Sequence, residues 1–269
     1  MPPMNDTDAT AAATLLWDTW QAGRTLPALP EGCRPLTRDE GYRIQARLPQ
    51  VAGRTLRGWK IAATSAAGQA HIGVDGPLAG RILSGQVDAG GAEVSLTGRR
   101  MRVAEPEFAF RFGRSLPPRE APYAVDEVLA AVEALLPAFE VPDSRYDDFV
   151  RAGAPQLLAD NACAHRFVFG EPTAADWRAI NLRAHAVHGT VRRGGHLHID
   201  RHGEGRAVLG DPRVALAWLV NELSGLGLAL EPGQVVSTGT CMAPLEVQPG
   251  DEAHADFGVL GTIHARFVD

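Results

Sequence analysis

Long hydrophobic runs, paired cysteines and an excess of positive charge are all missing from this chain. No apolar run approaches the roughly 20 residues that a bilayer-spanning helix needs, so no membrane partner is expected. Three cysteines, Cys33, Cys163 and Cys241, are odd in number, widely spaced and never in a CxxC pair. That argues against a structural zinc site and suits reduced thiols in a cytoplasm. Lys and Arg total 26 against 32 Asp and Glu, a net charge of −6, which argues against nucleic acid or an anionic membrane surface as partner. The N-terminus, MPPMNDTDATAAATLLW, has no basic stretch or cleavage pattern, so no secretory signal is expected. What is present is ordinary for a globular protein: 269 residues, 45% apolar and 22% charged. This is enough for one large domain, or a main domain with a small N-terminal appendage.

Residues 9–22 carry an apolar stripe of Leu15, Leu16 and Trp20 at helical spacing. Thr37 and Glu40 fit a capping box, predicting a second helix through Gln50 that Gly53 ends. The Pro-rich linker between them, RTLPALPEGCRPL, is expected to be ordered. From Leu56 onward alternation takes over, and the boundary predicts a helical region over 1–55 and a β-rich region over 56–269. Two helices interrupt the strands: one over 123–136, and one opened by Asp211-Pro212 that runs to about Leu223. HRFVFG, INLRAHAVHG, GHLHIDRH, QVVSTGTC and the C-terminal stretch all predict strands. The expected class is α+β, dominated by a barrel-like or rolled mixed sheet.

The segment VAEPEFAFRF (103–112) alternates over its length. Glu105 and Glu107 share one strand face, while Phe108, Phe110 and Phe112 occupy the other and require a core. Pro106 gives no ladder hydrogen bond and predicts a strand edge or a bulge. Two glutamates so placed either face water or act as arms of a site. A third acid, Glu140 in AFEVPD, lies between Phe139 and Val141 and needs a partner if its strand is interior. Three converging carboxylates make an all-oxygen site for a hard divalent cation, Mg²⁺ or Mn²⁺.

GWKIAATS (58–65), AEPEFAF (104–110), AFEVPDSR (138–145), LLADNACAHRFVFG (157–170) and VVSTGTC (235–241) occur in this order. Together they resemble the 2-keto-4-pentenoate hydratase and 4-oxalocrotonate decarboxylase branch of the fumarylacetoacetate hydrolase superfamily, from about residue 37 to the C-terminus. The resemblance implies that fold, with Glu105, Glu107 and Glu140 as metal ligands and Lys60 as the active-site lysine. It implies a small 2-oxo or 2-hydroxydienoate acid as substrate, a homo-oligomer, and association with a related decarboxylase or hydratase. Glu140, where hydrolases of the superfamily carry Asp, favours hydratase or decarboxylase chemistry. His71 is the nearest candidate for the hydrolases' water-activating His–Glu pair, and no matching glutamate accompanies it. The chain departs from the family at Leu78, near where an acid is often found.

The small-residue turns holding Thr64 and Ser65, and Ser237 and Thr238, are able to bind a substrate carboxylate or to be ordinary turns. Asp160, in the family's Asp-Asn pair, is a substrate-binding candidate or a local cap. His196 and His198, with His185 and His188 nearby, fit the polar face of a hairpin better than a metal site.

Overall fold

The computed structural model describes residues 4–269. The chain opens with α1 (Asp6–Gln21), α2 (Arg38–Gln45) and α3 (Leu48–Ala52). β1 (Leu56–Ala62), α4 (Ala66–His71), β2 (Leu78–Leu83), β3 (Val87–Ala89) and β4 (Glu93–Ser95) follow. The middle holds β5 (Val103–Phe112), α5 (Val125–Ala131), β6 (Val132–Val141), α6 (Ala154–Ala159) and β7 (Arg166–Phe169). Next come β8 (Ala186–Arg193), β9 (His196–Glu204) and α7 (Pro212–Gly225). β10 (Val235–Thr240), β11 (Leu245–Glu246), β12 (Asp251–Asp256) and β13 (Thr262–Val268) complete the chain. No helix among the described residues is long and apolar enough to cross a membrane.

Eight strands form one sheet in the order β2-β1-β10-β5-β6-β7-β3, with β11 continuing the ladder on β5. β2 and β3 stand at opposite ends of that order, yet only residues 84–86 join them in sequence. The sheet must therefore roll until its two edges meet. Ile82 of β2 accordingly packs on Phe167 of β7 inside the roll. A second sheet, β4-β13-β12-β8-β9, packs on the outside. There Trp59, Phe108, Phe110 and Phe112 share one core with Leu216 and Leu219 of α7 and with Ala253 and Phe267 of the second sheet. Full burial of each phenylalanine contributes about 2–3 kcal/mol. The rolled α+β architecture is the one expected from the sequence.

Local chemistry explains most boundaries. Asn5 caps α1 by accepting from the Asp8 N–H, which starts the helix earlier than its apolar stripe does. Thr37 caps α2 by accepting from the Glu40 N–H, while the Glu40 carboxylate reaches the N–H groups of Leu36 and Met4. The second helix is interrupted near Arg47, where Pro49 restarts it as α3, and Gly53 ends it at φ 61°. The N-terminal helices pack on Tyr146 and Ala159 through Ala13, Leu16 and Ile44.

The helix expected over 123–136 requires correction. It stops at Ala131, and residues 132–136 begin β6 instead. Their apolar positions fit a helix stripe and a doubly buried strand equally well. Pairing with β5, from Phe112↔Val132 through Glu105↔Glu140, decides for the strand. Pro106 is not at an edge either: β5 lies between β6 and the β10–β11 pair. The irregularity sits across the ladder, in β10, where the register shifts between Ser237 and Thr240. The strand expected from INLRAHAVHG starts only at Ala186, after a 3-10 turn at Leu182–Ala184. The short helix α4 was not expected at all.

One parallel pairing, β1 on β10, brings distant segments together with Gly58 opposite Val235. A Cβ at Gly58 would lie 1.9 Å from the Val235 carbonyl oxygen, a backbone atom unable to turn away. Gly58→Ala should therefore lower stability by about 2–3 kcal/mol, measured by urea unfolding, with a corresponding fall in Tm.

Candidate active site

The inner surface of the roll is lined mainly by small and apolar side chains, including Ala109, Ala134, Leu136 and Ala138. Into this surface β5 and β6 project Glu105, Glu107 and Glu140. One oxygen from each carboxylate falls within 4.8 Å of the others. Glu105 and Glu140 are directly opposite across the ladder, a placement that repels when both are ionised. Glu107 and Glu140 have no solvent exposure, and Glu105 is half-buried.

Lys60 enters from β1, two strands away from β5 across β10. Its Nζ lies 2.9 Å from Glu140 Oε1 and donates to the Ala162 carbonyl at 2.9 Å. Two features shape its path. Gly80 faces it across the β1–β2 ladder, and a Cβ there would lie 2.9 Å from the Lys60 stem. Residues 161–163 are three consecutive non-glycine residues in the left-handed region, with φ of 56°, 52° and 60°. That conformation costs about 1–2 kcal/mol per residue. It is held by Asn161, whose side chain accepts from the Arg81 N–H at 2.6 Å and donates to the Arg81 carbonyl at 2.8 Å.

Glu107 is fixed by β10. Its Oε2 accepts from the Ser237 hydroxyl at 2.6 Å and the Gly239 N–H at 2.9 Å. The bulge in β10 makes the second bond possible, with Gly239 at φ 101°. Thr64 packs against Gly239 so closely that a Cβ there would lie 2.2 Å from its Oγ1.

Burial dominates the electrostatics. It pushes the Glu105 carboxyl up to about 8, with the nearby Glu140 adding to the rise and Lys60 opposing it. It also raises Glu107 well above the usual carboxylate range, with Glu140 and Glu105 adding to the rise, and it raises Glu140 against the pull of Lys60. Burial alone would lower Lys60, but Glu140, Glu105 and Glu107 together hold it above its ordinary value, as an ammonium. If all three acids ionise, three negative charges face one positive charge and two remain uncompensated. Glu107 Oε1 and Glu140 Oε2 are buried without a hydrogen-bond partner, as orphaned acceptors. Orphaned hard oxygens and a deficit of two charges fit a divalent cation of the Mg²⁺ or Mn²⁺ type.

The structure thus brings Lys60, Glu105, Glu107, Glu140 and Ser237 together, with Thr64 against the Gly239 bulge. The other candidates are engaged elsewhere. Ser65 caps α4 by accepting from the Gly68 N–H at 3.0 Å. The Thr238 hydroxyl donates to the Phe108 carbonyl at 2.8 Å. Asp160 is buried against Arg145, with Nε 3.2 Å away, and accepts from the Ser144 hydroxyl at 2.7 Å. Leu78 is fully buried in the outer core. Sequence reasoning overlooked the Ala162 carbonyl and Gly80. A carbonyl carries no residue-type signature, and a glycine opposite a lysine becomes visible only once the register is known.

No family model matches the chain. It is 33% identical to 2-keto-4-pentenoate hydratase 1 of Dechloromonas aromatica (strain RCB), over 96% of each chain. It is 30% identical to 2-hydroxyhexa-2,4-dienoate hydratase of Comamonas testosteroni, over 94% of this chain and 95% of that one. Its fold matches a 4-oxalocrotonate decarboxylase from Pseudomonas putida G7, complexed with magnesium and adipate, with a TM-score of 0.85 and 26% identity. That match covers 98% of this chain and 99% of the other. A fumarylacetoacetate hydrolase-like fold with a buried carboxylate triad and an inward lysine defines the class. Within it, the chain belongs to the family of 2-keto-4-pentenoate hydratases.

The raised carboxyls set a pH dependence. The folded chain keeps protons on these acids that the unfolded chain, with carboxyls near 4.5, has already lost. Cation-free stability should therefore fall as pH climbs from about 4.5 to about 8. Thermal melts in EDTA should show Tm declining across that window, and added Mg²⁺ should raise Tm most at its alkaline end.

Proposed function

We propose that the protein is a divalent-cation-dependent hydro-lyase. It adds water to a 2-hydroxy-2,4-dienoate, giving a 4-hydroxy-2-oxo acid, in the breakdown of aromatic compounds. The observation that carries this reading is the buried set of Glu105, Glu107 and Glu140 facing Lys60, with two negative charges uncompensated. The hydratase relatives and the magnesium complex of the decarboxylase support it.

Glu105, Glu107 and Glu140 would hold the cation, which when bound would supply Lewis-acid stabilisation of negative charge developing on the substrate's oxygens. Ser237 and the Gly239 N–H keep Glu107 aimed inward as a ligand. Lys60, charged beside Glu140, gives a proton to the terminal carbon of the dienol, turning it into an α,β-unsaturated 2-oxo acid. Water then adds at C4, and C3 takes up a proton. The net change is one water added, and Lys60 regains its proton as the 2-hydroxyl loses its own. Thr64 is the substrate-carboxylate contact we favour, because it abuts the bulge that carries the Glu107 donors. Ser65, Asp160 and Thr238 then support the site through helix α4, the Arg145 pair and the Phe108 carbonyl.

All of these side chains come from residues 56–269, so we assign catalysis to that region and a packing role to residues 1–55. We also propose a cytoplasmic homo-oligomer, able to associate with a related decarboxylase.

A second reading, decarboxylation of a 4-oxalocrotonate-type acid, is favoured by the fold match to the decarboxylase. It needs the same electron sink, filled by electrons from departing CO₂. Incubation with 2-hydroxypenta-2,4-dienoate should bleach the dienol absorbance without CO₂ release. Release of CO₂ from 4-oxalocrotonate would replace hydration with the second reading. Lys60→Ala should keep Mg²⁺ binding and lower turnover by at least about a hundredfold, the usual scale of acid–base catalysis. Glu105→Gln with Glu107→Gln should abolish Mg²⁺ binding by calorimetry, and turnover with it.

A further inference from the structure

A second cluster of metal-ligand type lies on the outer sheet, away from the carboxylate triad. His188 on β8 and His202 on β9 are direct cross-strand partners, and Asp200 lies two residues before His202 on the same strand face. The imidazoles stack face to face, with ring centroids 4.5 Å apart and planes 8° from parallel. Both Nε2 atoms lie near one oxygen: Asp200 Oδ1 is 2.7 Å from His188 and 3.7 Å from His202. One donor atom from each of the three residues falls within 4.8 Å of the others. On the far side of His188, the β8–β12 register places Asp256 beside it.

We propose that His188, Asp200 and His202 form a binding site for a borderline divalent transition-metal ion such as Zn²⁺, Cu²⁺ or Ni²⁺. Two imidazoles and one carboxylate are a donor set such ions favour, and one that Mg²⁺ does not. The two ring planes are parallel, so to share an ion each imidazole rotates about its own side-chain bonds out of the stack, turning its Nε2 toward the space that Asp200 Oδ1 occupies, while the strands stay paired. Zinc–nitrogen bonds are about 2.0–2.1 Å. Three protein donors leave a coordination position for water or for Asp256. The chain thus carries two sites of opposite preference: an enclosed, all-oxygen site for a hard cation and an exposed, nitrogen-rich site for a softer one. The exposed site clips β9, an edge strand of its sheet, to β8.

The site is read with Cu²⁺ as the probe, in the presence of excess Mg²⁺, on the untagged full chain. Electron paramagnetic resonance should show one Cu²⁺ per chain with nitrogen couplings, which the carboxylate triad is unable to give. His188→Gln and His202→Gln should each weaken binding by at least about tenfold, the least expected even for losing an outer partner of a metal ligand. Asp200→Asn should weaken it while keeping the nitrogen couplings. Mg²⁺-dependent turnover should be unchanged in all three, which also reports that they fold. The proposal is overturned if the unsubstituted chain shows no nitrogen-coordinated Cu²⁺. It is equally overturned if a His188→Gln, His202→Gln double variant binds as tightly as the unsubstituted chain, since His196, His198 or other histidines would then hold the ion.

Discussion

Burying three carboxylates beside a single ammonium is the constraint around which this fold is organised. An unpaired ion in a protein interior costs several kcal/mol, and removing one partner of a buried pair strands the other. Here the imbalance is built in, because Glu105 and Glu140 face each other across a ladder and only Lys60 answers them. The structure tolerates it through proton uptake by the acids, through the Ser237 and Gly239 donors on Glu107, and through a cation when one is present. Each device depends on a strand arriving in register, so the site's electrostatics and the rolled sheet are one problem.

The same constraint accounts for irregular backbone that would otherwise be unexplained. The β10 bulge breaks a ladder in the middle of the sheet, at a cost in hydrogen bonding, and gives Glu107 an amide donor. The left-handed turn at 161–163 is strained, and its return is a carbonyl aimed at Lys60 and a clamp on β2 through Asn161. Strain of this kind gathers where geometry must be held against the preferences of the chain. Asp160 belongs to the same arrangement, since its pairing with Arg145 and Ser144 anchors the residue from which that turn begins.

Much of this was legible in the sequence. Alternation in VAEPEFAFRF separated the phenylalanine face from the glutamate face, and the structure keeps that division, with the aromatics in the outer core. Caps at Thr37 and Asp211 and the stop at Gly53 were readable because each depends on one or two adjacent residues. Residues 132–136 were not, because a stretch buried at every position but Glu133 satisfies two periodicities and only the partner strand decides between them. Nor could the small-residue turns be ranked. Ser237 and Thr238 are neighbours of similar chemistry, yet one hydroxyl meets Glu107 and the other a backbone carbonyl. That difference comes from strand facing at a bulge, which no single-residue signal records.

The parallel pairing of β1 with β10 carries a consequence for how the molecule comes to exist. The three glutamates lie within one β5–α5–β6 unit, nearly contiguous in the chain, whereas Lys60 and Ser237 come from strands far apart in sequence. Contacts between distant segments form late, because loop-closure entropy must be met before they contribute. β10 is made well after β5 and β6, and it lies between β1 and β5 in the sheet. Lys60 on one side and the Ser237 and Gly239 donors on the other therefore reach the glutamates only when β10 pairs with both neighbours, and the acids leave water at that same step.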